Sequence, residues 1–127
     1  MALTEALVAV AAVALMGGLA FSTFGGNERR LVTAEAARVA LHIAEARLMA
    51  AEAGQAVALT WSPSDRTLDA GGRTLSLRRG VAGPSVPFAL SILPNGESEG
   101  LSLPLEAGQH GRTVTLGWLD GRVEVRR

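Results

Sequence analysis

Hydrophobic and polar positions divide this chain into three regimes. From Ala6 to Phe24 the sequence reads ALVAVAAVALMGGLAFSTF, 19 residues without a charged side chain. Further on, Leu31, Ala34, Ala37, Leu41, Ala44, Leu48 and Ala51 recur at spacings of three and four. That spacing predicts one face of a helix, and the row is expected to lie on the rest of the molecule. Glu35, Arg38, His42, Glu45, Arg47 and Glu52 fall off the row. Glu35–Arg38 and His42–Glu45 stand at i,i+3, a weakly supportive separation. Gly54 follows the last periodic residue and reads as the helix stop.

Beyond Gly54 the period changes to two. Val57, Leu59 and Trp61 predict a strand, and Ser62-Pro63-Ser64-Asp65 a turn. Thr74 to Arg78 alternates again after Gly71-Gly72, and residues 80–87 read as a loop. Phe88 to Leu93 is a further strand, turned by Pro94-Asn95-Gly96. Leu101, Leu103 and Leu105 make another, broken or edged by Pro104. Thr113–Trp118 and Arg122–Arg126 flank Asp120-Gly121, a strong hairpin signal. The expectation is one long helix followed by about six short antiparallel strands, an α+β architecture.

The first regime is long enough, at roughly 30 Å as a helix, to cross the hydrocarbon of a bilayer. A secretory signal peptide would carry a basic start, whereas no Arg or Lys precedes Arg29 and an acid stands at position 5. A core helix would need a head larger than the remaining chain supplies. Glu5 is the lone charged side chain of residues 1–26. An ionisable group at the end of a membrane helix is a functional candidate, because an unpaired charge in hydrocarbon is costly.

Composition adds exclusions. The chain has 127 residues, a formal net charge of zero and no Cys. It therefore has no global field to recruit nucleic acid or anionic lipid, and no thiolate metal site, disulfide or Cys nucleophile. All 12 basic residues are Arg.

Met1-Ala2-Leu3-Thr4-Glu5-Ala6-Leu7-Val8 resembles the mature N-terminus of type IV pilins and type II secretion pseudopilins, with Glu at the fifth position and aliphatic residues after it. Thr4 and Ala2 depart from the usual aliphatic residue and Thr. Ser22 stands where many members have Pro; Gly17, Gly18, Gly25 and Gly26 are the residues that could loosen the helix instead. The resemblance implies a leader removed by a prepilin peptidase and N-methylation of Met1. It also implies that Glu5 meets the N-terminal amine of a neighbouring subunit, two charges tolerable in a buried place only when paired.

A second resemblance lies at the other end. Ile92-Leu93-Pro94-Asn95-Gly96, Ser98, Gly100, Leu101, Leu103 and then Gly117-Trp118-Leu119-Asp120-Gly121-Arg122-Val123 look like the end of H-class minor pseudopilins and of the related minor pilins. Residues 55–87 carry no such likeness. Together the two imply a pilin-like fold. Residues 1–26 would be the transmembrane and filament-core helix, 27–53 its amphipathic continuation and 54–127 a periplasmic β-rich head. The implied protein is a minor pseudopilin held in the inner membrane before joining a secretion pseudopilus. Its partners would be other pilin-like subunits.

The rival expectation is a minor type IV pilin in pilus biogenesis or DNA uptake, with Arg112, Arg122, Arg126 and Arg127 as a nucleic-acid patch. Arg122, Glu124 and Arg126 would share one strand face, and Glu124 weakens the field there. Neither an enzyme nor a cofactor is expected. The two histidines lie far apart, with His42 read as a partly exposed helix residue, and Asp65, Asp69 and Asp120 sit at turns. Asn95, Glu97 and Glu99 cluster hard oxygen ligands suited to calcium, though a solvated acidic turn gives the same pattern.

Overall fold

A computed structural model describes residues 27–127. Met1, Glu5, Ser22, the apolar run and the Gly17-Gly18 and Gly25-Gly26 pairs lie outside the described residues. Helix α1 runs Asn27–Ala53, and seven strands follow: β1 Val57–Ser62, β2 Thr67–Ala70, β3 Arg73–Ser76, β4 Phe88–Ile92, β5 Leu101–Ala107, β6 His110–Leu116 and β7 Val123–Arg126. Gly54 ends the helix at φ 66°, its N–H donating to the Ala50 carbonyl at 3.0 Å. Such a left-handed stop favours Gly.

The strands form two antiparallel sheets, β3-β2-β1-β4 and β5-β6-β7. Alternation chooses their inner faces: Val57, Leu59 and Trp61 on β1, Leu103, Leu105 and Ala107 on β5, and Val114 and Leu116 on β6 are buried. Thr67–Ala70 is a strand that periodicity did not single out. Its four residues pair with both β1 and β3.

Pro104 does not break β5. Glu106 spends its N–H and C=O on Ala82, at 2.9 and 2.8 Å. By antiparallel alternation Pro104 likewise turns its nitrogen away from β6, toward the open edge, where no N–H is needed.

Both sheets close on one face of α1. Val32, Ala36, Val39, Ile43, Ala46 and Ala50 are fully buried there, in a single cluster with the strand residues. This corrects the expected phase of the helix. Of the row Leu31, Ala34, Ala37, Leu41, Ala44, Leu48 and Ala51, only Leu31 packs against the core. At about 100° per residue, Ala34, Ala37, Leu41, Ala44 and Leu48 centre on the side opposite Val32, Val39 and Ile43. Alanines at most turns give the helix two apolar rows. The head chose the one carrying bulky β-branched side chains, which fill more of the space between sheets.

The packing predicts opposite outcomes for neighbouring residues. Ile43→Ala should cost about 2–5 kcal/mol in urea unfolding, as a fully buried side chain leaves a cavity. Leu41→Ala, on the far side, should cost less than about 1 kcal/mol. Equal losses would contradict the observed phase.

Candidate assembly interface

The buried face of α1 contains two polar residues, Glu35 and His42. His42, expected to be partly exposed, is instead buried against the β2–β3 hairpin. Its Nε2–H donates to the carbonyls of Leu68 at 3.0 Å and Arg73 at 3.1 Å. Those carbonyls are what make burial of an imidazole tolerable.

Glu35 is 0% exposed. One carboxylate oxygen pairs with Arg38 Nη1 at 2.5 Å, and the other accepts the backbone N–H of Arg78. Arg66, in the left-handed region at φ 58°, donates from Nη2 to the carbonyls of Arg78 and Val81. The segment after β3 is thus held from two sides by side chains. Trp61 completes the clamp, donating from Nε1 to the Pro84 carbonyl at 2.9 Å. Its ring lies so near Gly83 that a Cβ there would come within 2.6 Å. The i,i+3 spacing signalled the Glu35–Arg38 pair, but nothing local signalled the bond to a residue 43 positions away.

With that face consumed, the opposite one remains. Ala34, Ala37, Leu41, Ala44 and Leu48 are partly exposed, Ala51 is exposed, and none packs on the head. Small side chains at such spacings permit close approach of a second helix.

The two turns that carried the C-terminal resemblance meet beside the same helix. Ser98 N–H donates to the Trp118 carbonyl at 2.9 Å, and a Cβ on Gly121 would sit 2.6 Å from the Gly96 carbonyl oxygen and 2.9 Å from Arg47 Nε. Trp118 and Leu119 at this corner are 65% and 59% exposed. Asp120 accepts the Arg122 N–H at 3.0 Å, within its own turn. Asp65 and Asp69 likewise bond locally, to Ser62 and to Gly72 and Thr74; Asp69 lies in β2 rather than in a turn. Asn95 Oδ1 accepts the Glu97 N–H at 3.0 Å, which is turn chemistry. Among the described residues no group of three or more His, Asp or Glu side chains could hold a metal ion.

The four arginines of the expected nucleic-acid patch are divided between two sheet faces. Arg122 and Arg126 lie on the outer face and both pair with Glu124, at 3.0 and 2.9 Å. The register Thr113↔Arg126 and Val114↔Val125 continues to place Arg112 opposite Arg127, on the face toward the helix. The Arg112 guanidinium is held below its ordinary value, first by burial and then by the charges of Arg127 and Arg29.

This arrangement, a long helix with its inner face buried under two small antiparallel sheets, is the type IV pilin-like fold. Two crystal forms of the type IV minor pilin FimU of Pseudomonas aeruginosa are similar to it. One has a TM-score of 0.64 and 16% identity over 78% of this chain and 90% of that one. The other has a TM-score of 0.62 and 14% identity over 76% and 93%. No protein-family model and no curated protein matches the sequence. Among the described residues no helix is long and apolar enough to cross a membrane.

Removing the Glu35 carboxylate should loosen the join between helix and head. Glu35→Ala leaves the Arg78 N–H without its acceptor, for a loss of about 1–3 kcal/mol. Arg38, partly exposed, can turn to water. Unfolding in urea measures this, and a variant as stable as the parent would contradict the described bond.

Proposed function

We propose that this chain is a structural subunit of a pilin-like filament, anchored in the inner membrane before assembly, with its head in the periplasm. The observation that carries the reading is the second apolar face of α1. A soluble monomer has no use for a row of Ala and Leu turned away from its core. A bundle of neighbouring helices does, because close packing against them covers the row. The apolar run Ala6–Phe24 continues the same chain into the membrane and then into the filament core. Glu5, as its resemblance implies, would pair with the N-terminal amine of the next subunit, and Met1 would be the processed, methylated residue. Any other axial stagger would leave both charges unpaired.

Within this class the favoured role is a minor pseudopilin of type II secretion, on the resemblance of the Pro94-Asn95-Gly96 and Gly117–Val123 segments. Their meeting at one corner beside Arg47 supports reading them as one unit of structure rather than two separate turns. The fold likeness to a minor pilin supports the second role, pilus biogenesis or DNA uptake, equally well. Gene neighbours separate them: a secretin and secretion ATPase favour the first, pilus retraction genes the second.

The assembly reading is tested with Leu41→Glu combined with Leu48→Glu. Head stability should stay within about 1 kcal/mol, since neither side chain packs on the core. Incorporation into filaments, read by shearing and immunoblotting, should be lost, as it should for Glu5→Ala. Normal incorporation of the double variant would overturn the proposed interface.

A further inference from the structure

Among the described residues, the end of the head nearest the start of α1 carries a net positive cluster of charge. Two contacts fix which end this is. A Cβ on Gly108, in the β5–β6 turn, would run into the Glu28 carboxylate, whereas Gly121, in the β6–β7 turn, sits against Arg47. Strand β6 therefore runs alongside the helix, with the β5–β6 turn, the start of β6 and the end of β7 grouped around the first turn of α1. The register, continued one pair beyond Thr113↔Arg126, sets Arg112 opposite Arg127 there, and the charges of Arg127 and of Arg29 on the helix both act on Arg112.

Like charges directly across a strand pair are destabilising unless an anion lies between or beside them. The nearby acids meet that need only in part. Glu124 is occupied on the other sheet face by Arg122 and Arg126. Glu106 points to that outer face, in step with the exposed Ser102 and Pro104. Glu28, whose carboxylate lies against Gly108, offsets at most one of the three charges and leaves the cluster net positive.

We infer that Arg29, Arg112 and Arg127 form a docking surface for anionic phospholipid headgroups, which holds the head down on the bilayer while the subunit waits in the membrane. This rests on the anchored-subunit reading above. The choice of lipid over nucleic acid follows from placement. The apolar run ends at Phe24, so Arg29 is five residues from the hydrocarbon, at most about 18 Å of chain. Arg112 and Arg127 share its end of the head. A surface of phosphate diesters is thus always within reach of the cluster, and its attraction acts over about a Debye length, ~10 Å at moderate salt. Extraction into a filament would have to break this contact, so lipid charge would set how readily the subunit leaves.

The chain has no Cys, so one introduced at exposed Gln109, in the β5–β6 turn, gives a unique label site. Full-length Gln109→Cys carrying a nitroxide is reconstituted in phosphatidylcholine vesicles with and without phosphatidylglycerol. Access of a water-soluble nickel quencher to the label is then measured. Access should fall when phosphatidylglycerol is present and recover at high salt. Arg112→Gln with Arg127→Gln should abolish the lipid dependence, since each arginine contributes roughly fivefold to surface affinity. Arg112→Lys with Arg127→Lys should keep it, which separates charge from misfolding. Equal access in both lipids, or unchanged behaviour of the Gln variant, overturns the inference while leaving the anchor intact. Release of the chain from vesicles by alkaline carbonate overturns the anchor, and this inference with it. Displacement of the head from the vesicles by duplex DNA, lost in the Gln variant, would reassign the cluster to nucleic acid.

Discussion

Everything in the head depends on one face of one helix. The four-stranded and three-stranded sheets have separate hydrogen-bond ladders, with the Ala82–Glu106 bridge tying the loop before β4 to the edge of β5. What brings the sheets together is their common burial of Val32, Ala36, Val39, Ile43, Ala46 and Ala50. Apolar burial is not directional, so by itself it would tolerate sliding or rotation of the helix. Glu35 and His42 supply the direction, because each reaches backbone groups at fixed places on the head. A rotation that uncovered them would strand a carboxylate and an imidazole without their partners, a loss larger than that of any single methyl contact.

That division of labour explains what the sequence disclosed. Period-two alternation placed β1, β4 and β5, because each has one buried face, and the Asp120-Gly121 turn marked the last hairpin. Gly54 ended the helix where Gly is needed. The four residues of β2 escaped because Thr67-Leu68-Asp69-Ala70 holds one large apolar side chain, too few for a period to register. The helix phase misled for a related reason. Glu35 and His42 marked their side of α1 as polar, and Ala, common at most turns, left two rows that spacing could not rank. Only the carbonyls of Leu68 and Arg73 and the N–H of Arg78, distant in sequence, make that side the inner one. The four arginines divide by strand parity: Arg122 and Arg126 share one face with Glu124, as their spacing implied, and the register continues to place Arg112 and Arg127 on the other.

The misjudged row then becomes informative. An apolar stripe that a monomer leaves uncovered, on a helix whose chain continues back into a membrane-length apolar run, fits a molecule meant for two environments. On the proposed reading, lipid would surround the run in the first, and the head would stand over the headgroups with Arg29, Arg112 and Arg127 at its base. In the second, neighbouring helices would replace lipid and cover Ala34, Ala37, Leu41, Ala44 and Leu48. The head needs no rearrangement between the two, since its own core uses the other side of α1.

The central claim is that α1 is two-faced, and chemical labelling of single cysteines along it tests this directly. In the unassembled full-length protein, a water-soluble maleimide should react readily at Ala34→Cys, Ala37→Cys, Ala44→Cys and Leu48→Cys. It should react slowly at Ala36→Cys, Val39→Cys, Ala46→Cys and Ala50→Cys. Reactivity with the opposite phase, or uniform around the helix, would contradict the account.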